Sequence, residues 1–369
     1  PHSSTSRGLG DVYKRQKEAI EAVKSSNLNL LPYGSSQGSL SYREKLVGYY
    51  SKHNINITLD DIIVTTGASE ALTFALNVIC DADDEIIIPE PFYANYNGFA
   101  SASSIRVVPV ISQFNSQFQL PAMENINEKI TPKTKAISTV ALYGLPCDVD
   151  AILAVAKKHS LFVYEDNAQC MMGTYKGKFS GNLAHGASFS FQRLKHLTCG
   201  EGGMFTTNDE ELAIKVRRQT SLGYANIGSS KGAITKMELQ DPAYDRHIQF
   251  GFKLRLPELC AAVALAQLEN AEKLIDIRLK SAKIWDEVIS TCDWLIPQKA
   301  SEDHKNVYWS YAVRIDHPTV TWNRFRDEFV KLGGDGIYAA SKLIHQEPAF
   351  SRNSIGYGET PVAEELSLI

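Results

Sequence analysis

The sequence predicts an α/β protein organised on a mostly parallel, seven-stranded type of sheet, with a smaller α/β part at the C-terminal end. Short apolar runs alternate with segments whose apolar residues recur at helical spacing. Runs that are apolar on successive residues suit strands covered on both faces, which is what helical crossovers between parallel strands produce. A chain of 369 residues is also long enough to bury one large core and a second smaller one.

Residues 1–16 carry no hydrophobic period, resemble translated adapter sequence and are set aside as a non-native leader. Helical spacing runs over 16–25, a turn-rich loop over 31–38 and a second helix over 39–53. Strands at 62–66, 85–88, 106–110, 136–140 and 161–165 then alternate with helices at 69–79, 95–102, 121–130 and 148–159. A returning strand follows at 203–207 and a helix at 209–220. The stretch 223–250, rich in Gly, Ser and Lys, reads as a long functional or mobile excursion. From 256 to about 290 one extended helical pattern opens on Pro257, a residue suited to a first helical turn. A strand at 308–314 and a helix at 321–332 complete the pattern. The expected division is 17–255 as a large domain with an N-terminal arm, and 256–369 as linker helix and small domain. Because the chain stops at Leu366-Ser-Leu-Ile369 inside an apolar pattern, that second part reads as cut short.

A net charge of −4, with both signs dispersed, offers neither a basic face for nucleic acid nor a polybasic membrane patch. Six cysteines without a C-x-x-C pair read as reduced thiols, which points to a cytoplasmic setting, and no apolar run approaches a membrane span.

Chemistry concentrates around Lys195, in Ser188-Phe-Ser-Phe-Gln-Arg-Leu-Lys-His-Leu-Thr-Cys-Gly-Glu-Gly-Gly203. Just upstream, the strand ending at Glu165 delivers Asp166 to its carboxyl end, where open α/β sheets bind ligands. A lysine among hydroxyls and glycines, downstream of a strand-end aspartate, fits a pyridoxal 5′-phosphate (PLP) site. There the amine forms the Schiff base, the carboxylate pairs with the pyridinium nitrogen, and hydroxyls and amides hold the phosphate. An exposed lysine in an ordinary loop fits this stretch equally well.

Thr65-Thr-Gly-Ala-Ser-Glu-Ala-Leu72 follows a strand and opens a helix. The amides of Ala68 and Ser69 and the Ser69 hydroxyl point where the helix dipole favours an anion; a serine cap after a glycine turn fits the same residues. In Pro91-Phe-Tyr-Ala-Asn-Tyr96, Tyr93 is positioned to stack on a pyridine ring, while Phe92 and Tyr96 are assigned to the core. Gln169, one helical turn past Asp166, suits a ring-oxygen contact or a surface amide. Ser190 suits a second phosphate hydroxyl or a solvent-facing strand position. No metal site is expected.

The second half resembles the DegT/StrS family of PLP-dependent sugar-nucleotide aminotransferases. The likeness rests on Leu142-Tyr-Gly-Leu-Pro-Cys-Asp148, Glu165-Asp-Asn-Ala-Gln169, Ser188-Phe-Ser-Phe-Gln192, Lys195-His196, Gly200-Glu-Gly-Gly203 and Arg255-Leu-Pro-Glu258. The resemblance implies the fold type I of PLP-dependent transferases, with Lys195 as Schiff-base lysine, Asp166 as pyridinium partner, Gln169 on the ring oxygen and Ser190 on the phosphate. The first half is more similar to class I amino-acid aminotransferases, through Tyr33, Gly38, Arg43 and Thr66-Gly-Ala-Ser-Glu-Ala-Leu72. In those enzymes a tyrosine at the place of Tyr33 reaches the phosphate of the neighbouring subunit, so a homodimer is implied. Two departures stand out: Tyr143-Gly-Leu-Pro146 replaces the asparagine segment of class I, and Lys253 stands where the sugar family usually has an asparagine. The implied activity is ping-pong transamination from an amino-acid donor, glutamate first, to a keto-sugar nucleotide. Its rivals are an amino-acid transaminase, a sugar dehydratase in which histidine replaces the lysine, and a regulatory protein of the same fold.

Overall fold

The first two strands of the sheet, in chain order, send alternate side chains into separate cores. In β1 (Ile62–Thr65) Ile63 faces one core and its neighbours Ile62 and Val64 the other; in β2 (Glu85–Pro89) Ile86 and Ile88 part from Ile87 in the same way. A strand's side-chain period of two does this only where helices cover both faces. The computed structural model describes residues 17–25, 35, 37–93, 95–112, 120–227 and 235–334.

Among these, α1 (Lys17–Lys24) and α2 (Leu40–Lys52) precede β1; α3 (Ala68–Ile79) leads to β2, and α4 (Tyr96–Ala102) to β3 (Arg106–Val110). Next come α5 (Met123–Glu128), β4 (Thr134–Val140), α6 (Val149–His159) and β5 (Phe162–Asp166). Two short strands, β6 (Thr174–Tyr175) and β7 (Lys178–Phe179), stand before β8 (Gly186–Ser190), β9 (Gly203–Thr206) and α7 (Glu210–Thr220). The seven-stranded sheet has the order β1-β9-β8-β5-β4-β2-β3, and β9 alone runs against its neighbours. The returning strand expected at 203–207 is β9. Helices α3, α4 and α7 cover one face, around Phe74, Leu76 and Val216, while α2 and the helices after residue 257 cover part of the other around Leu46, Ala264 and Leu274.

Beyond a short α8 (Lys236–Gln240), the single helix expected from 256 to about 290 is two: α9 (Glu258–Leu268) and α10 (Ala271–Ile289). Asn270 causes the break. Its side-chain amide donates to the Ala266 carbonyl at 3.0 Å, while its own carbonyl starts the next helix by accepting the Leu274 amide at 3.0 Å. The strand expected at 308–314 shortens to β12 (Val313–Ile315), which pairs with β10 (Leu295–Pro297); β11 (His304–Lys305) pairs instead with β6. Residues 306–311 run irregularly, with Tyr308 at a positive φ of 46°. The helix expected at 321–332 is α11 (Trp322–Lys331). No helix among the described residues is long and apolar enough to cross a membrane.

Candidate active site at the carboxyl edge of the sheet

Strand order decides what meets at this edge. Asp166 is the last residue of β5, beside β8 in the middle of the sheet, and Ser190 is the last residue of β8. Ser190 lies opposite Gly203 of β9, and Gly203 opposite Thr65 of β1. Gly203 is squeezed against the start of α3: a Cβ there would lie 2.3 Å from the Gly67 carbonyl carbon and 2.5 Å from the Ala68 nitrogen. No side chain is tolerated at that distance. The glycine therefore lets the helix start settle on the sheet next to Ser190.

This start of α3 has Gly67 as its cap, so the alternative of a serine cap at Ser69 does not hold. The amides of Ala68 and Ser69 belong to the first helical turn, whose N–H groups lack partners within the helix. Glu70 reaches back to the Thr66 amide. Ser69 is exposed, and its hydroxyl has no hydrogen-bond partner among the described residues.

Asp166 is 6% exposed. Its Oδ1 accepts the Ala168 amide at 3.0 Å and its Oδ2 the Tyr96 hydroxyl at 3.0 Å. Burial pushes its carboxyl above the usual range; the Ala168 and Tyr96 bonds and the Lys195 charge work against that. Burial in turn lowers the Lys195 amine, and the Asp166 charge partly restores it. The two groups thus lie near enough for each to feel the other's charge. Lys195 sits in a turn after β8, its amide donating to the Gln192 carbonyl at 2.9 Å. Its Nζ lies 4.8 Å above the centre of the Trp309 ring and has no hydrogen-bond partner among the described residues.

Gln169 Oε1 accepts the Tyr143 amide at 2.8 Å, which fixes the side chain and leaves its NH₂ as a donor without a partner among the described residues. Ser190 Oγ accepts the Gln192 amide at 3.3 Å and keeps its own proton to give. Tyr93, on the loop after β2, is 47% exposed, and its hydroxyl accepts from Asn95 Nδ2 at 2.7 Å. It shares the sheet edge, but among the described residues no hydrogen bond ties it to Asp166 or Lys195. Tyr33 lies outside the described residues.

Sequence reasoning missed three contributors. Tyr96 is a core residue as expected, yet its hydroxyl reaches Asp166; the one trace in the sequence was Ser138, a hydroxyl inside the strand run Ala136-Ile-Ser-Thr-Val140. His196, 2% exposed, donates from Nε2 to the Val307 carbonyl at 3.0 Å. Trp309 donates from Nε1 to the Leu194 carbonyl at 2.9 Å, next to Lys195.

The donor set fits PLP: a carboxylate with spare lone pairs, an amine lowered by burial, a fixed amide donor, and a hydroxyl beside a helix start. Among the described residues no group of His, Cys, Asp or Glu side chains could hold a metal. Comparison with known proteins points the same way. GDP-perosamine synthase of Caulobacter vibrioides is 35% identical over 260 residues, covering 67% of this chain and 62% of the synthase. UDP-2-acetamido-2-deoxy-3-oxo-D-glucuronate aminotransferase of Pseudomonas aeruginosa is 34% identical over 256 residues, 68% of this chain and 64% of that enzyme. The fold matches Spr1654 of Streptococcus pneumoniae, solved in its PLP-form, with a TM-score of 0.74 at 22% identity over 95% of this chain and 88% of that one. Residues 56–368 match the DegT/DnrJ/EryC1/StrS aminotransferase family, and the chain is a member of that family, an aminotransferase.

Proposed function

We propose that this aminotransferase binds PLP at the carboxyl edge of its sheet and moves an amino group from an amino acid, glutamate first, to a keto-sugar carried on a nucleoside diphosphate. The observation that carries this is the placement of Asp166, buried at the end of β5, and Lys195, on the turn after β8, at one edge of the sheet, near enough for each charge to act on the other. Lys195 would hold the cofactor covalently, Asp166 its ring nitrogen, Gln169 its ring oxygen, and Ser190, Ser69 and the Ala68 amide its phosphate. Tyr93 would cover the ring face. Tyr33 would reach a partner subunit's phosphate in a homodimer, and residues 17–255 would form the cofactor domain. When bound, the cofactor supplies an electron sink for the carbon losing its proton.

The chain's own residues do the rest. With its amine free, Lys195 Nζ would be the base that takes the proton from the donor's α-carbon and, once protonated, the acid that gives it back. Burial favours its neutral form, which is the form a base requires. Asp166 would offer its carboxylate to the ring nitrogen, and the Gln169 NH₂ would donate to the ring oxygen. The acceptor assignment is supported by the two relatives above, both named for nucleotide-linked sugars or their products.

The test is a half-reaction. Enzyme loaded with pyridoxamine 5′-phosphate is mixed with keto-sugar nucleotides and, separately, with α-keto acids, and the absorbance of regenerated PLP is followed. Recovery with a keto-sugar nucleotide is expected. Recovery with α-keto acids alone transfers the enzyme to the amino-acid transaminases, the reading that the Thr66-Gly-Ala-Ser-Glu-Ala-Leu72 stretch favours.

A further inference from the structure

Tyr96 is fully buried at the start of α4, 0% exposed, and packs with Phe92 edge to face at 6.0 Å. Core packing alone asks for a phenylalanine there. The hydroxyl instead sits 2.9 Å from Ser138 Oγ and 3.0 Å from Asp166 Oδ2. Ser138 is itself wholly buried on β4, and it shares a strand face with Val140, the residue registered opposite Asp166. An ionised carboxylate only accepts hydrogen bonds, so the one phenolic proton goes to Asp166. Ser138 must then donate to the Tyr96 oxygen. The chain of donation runs in one direction, Ser138 to Tyr96 to Asp166.

We propose that Tyr96, oriented by Ser138, is a positioning residue that holds the Asp166 carboxylate ionised and aimed, and so keeps the cofactor's ring nitrogen protonated. This rests on the reading of Asp166 as the ring-nitrogen partner. Without the phenol, Oδ2 loses a donor in a buried place, and the proton shared with the ring shifts toward the carboxyl group. The other groups that face Asp166 do not substitute. Burial keeps the Tyr164 hydroxyl and the Cys147 thiol neutral, the thiol pushed up to about 12, and neither donates to Asp166 among the described residues: Cys147 Sγ donates to the Val140 carbonyl at 3.3 Å. Lys195 is the amine that the covalent link would engage. The Tyr96 hydroxyl stays a donor throughout the working range, because burial and then the Asp166 charge raise it well above its ordinary value.

The experiment loads wild type, Tyr96→Phe, Ser138→Ala and Asp166→Ala with PLP labelled with ¹⁵N in the ring. It follows the ring-nitrogen chemical shift with pH and, by equilibrium dialysis, the affinity for PLP. In wild type the ring nitrogen is expected to be protonated through neutral pH. In Tyr96→Phe the midpoint of its titration is expected to fall by about one to two pH units, the equivalent of one hydrogen bond to a charged group, with about tenfold weaker PLP binding. Ser138→Ala is expected to shift the same way by less, and it tests the relay without altering the aromatic core. A Tyr96→Phe or Ser138→Ala holoenzyme that titrates and binds PLP as wild type does, while Asp166→Ala loses the protonated signal, overturns the relay alone. If Asp166→Ala keeps a protonated ring, or wild type takes up no PLP, the underlying reading of the site fails and the relay with it.

Discussion

Lys195→Ala is expected to abolish turnover and borohydride-trapped PLP labelling while leaving thermal unfolding near wild type, because Nζ makes no hydrogen bond among the described residues and rests on one ring face. Wild-type rates in that variant would remove its assigned role. The next residue gives a pH effect with a definite sign. Burial, then the charge of Arg278, hold the His196 imidazole down to about 3. Between that value and the ordinary 6.5 the unfolded chain binds a proton that the folded one refuses, so stability is full above about 6.5 and falls as the pH drops. Between pH 7 and 5 the loss from this group is roughly 2 kcal/mol, at about 1.4 kcal/mol per pH unit over the window below 6.5. Urea unfolding at the two pH values, on wild type and His196→Gln, checks it. The variant is expected to show a shallower decline, and equal slopes would refute the assignment. Both residues were visible in the sequence as a Lys-His pair, but the histidine's function was not, since its partner Val307 lies far along the chain.

At the scale of elements, the alternation of strands and helices over 62–166, and the strand and helix over 203–220, were legible because period-2 and period-3.6 patterns dominate wherever both sheet faces are covered; β6, β7 and β8 were not read as strands. The contact of α3 with β9 was not legible, since no pattern in either segment announces the other. Gly203→Ala tests that contact. The added methyl meets backbone at 2.3–2.6 Å, and backbone cannot swing aside as a flexible side chain does. The start of α3 must lift from the sheet, at a cost of about 1–3 kcal/mol for an overpacked site. Because the Ala68 and Ser69 amides move with it, PLP affinity is expected to fall at least tenfold, roughly the effect of one lost phosphate contact at the low end of charged hydrogen bonds. Unchanged PLP affinity by dialysis in a folded Gly203→Ala protein would separate the helix start from the phosphate.

For the whole molecule, the segment 306–311 links the C-terminal helices to the carboxyl edge of the sheet. Residues 308–314, Tyr308-Trp-Ser-Tyr-Ala-Val-Arg314, read as a strand, but the backbone groups of 306–311 are claimed elsewhere. Val307 donates to the Gly144 carbonyl at 2.9 Å, and the carbonyls of Tyr308 and Trp309 accept from Arg278 of α10 at 3.4 and 3.0 Å. Gly144 is bare because the Tyr308 and Trp309 nitrogens would each lie 2.7 Å from a Cβ placed there. Long-range claims of this kind leave no local trace, which is why tertiary contacts overrode propensity here and a strand was expected. The segment braces two site groups at once: Trp309 and His196 fasten the Lys195 turn, and the Tyr143–Gly144 turn beneath the segment carries the amide that fixes Gln169. Trp309→Leu removes both the indole bond to Leu194 and the ring face under Lys195 Nζ, together about 1–2 kcal/mol for a hydrogen bond and a cation–π contact. Turnover is therefore expected to fall on the order of tenfold with PLP still bound. Trp309→Phe keeps a ring face while losing the bond and is expected to fall between the two. If both variants turn over at the wild-type rate, the C-terminal segment braces the fold without steering Lys195; if Trp309→Phe matches Trp309→Leu, the indole bond matters and the ring face does not.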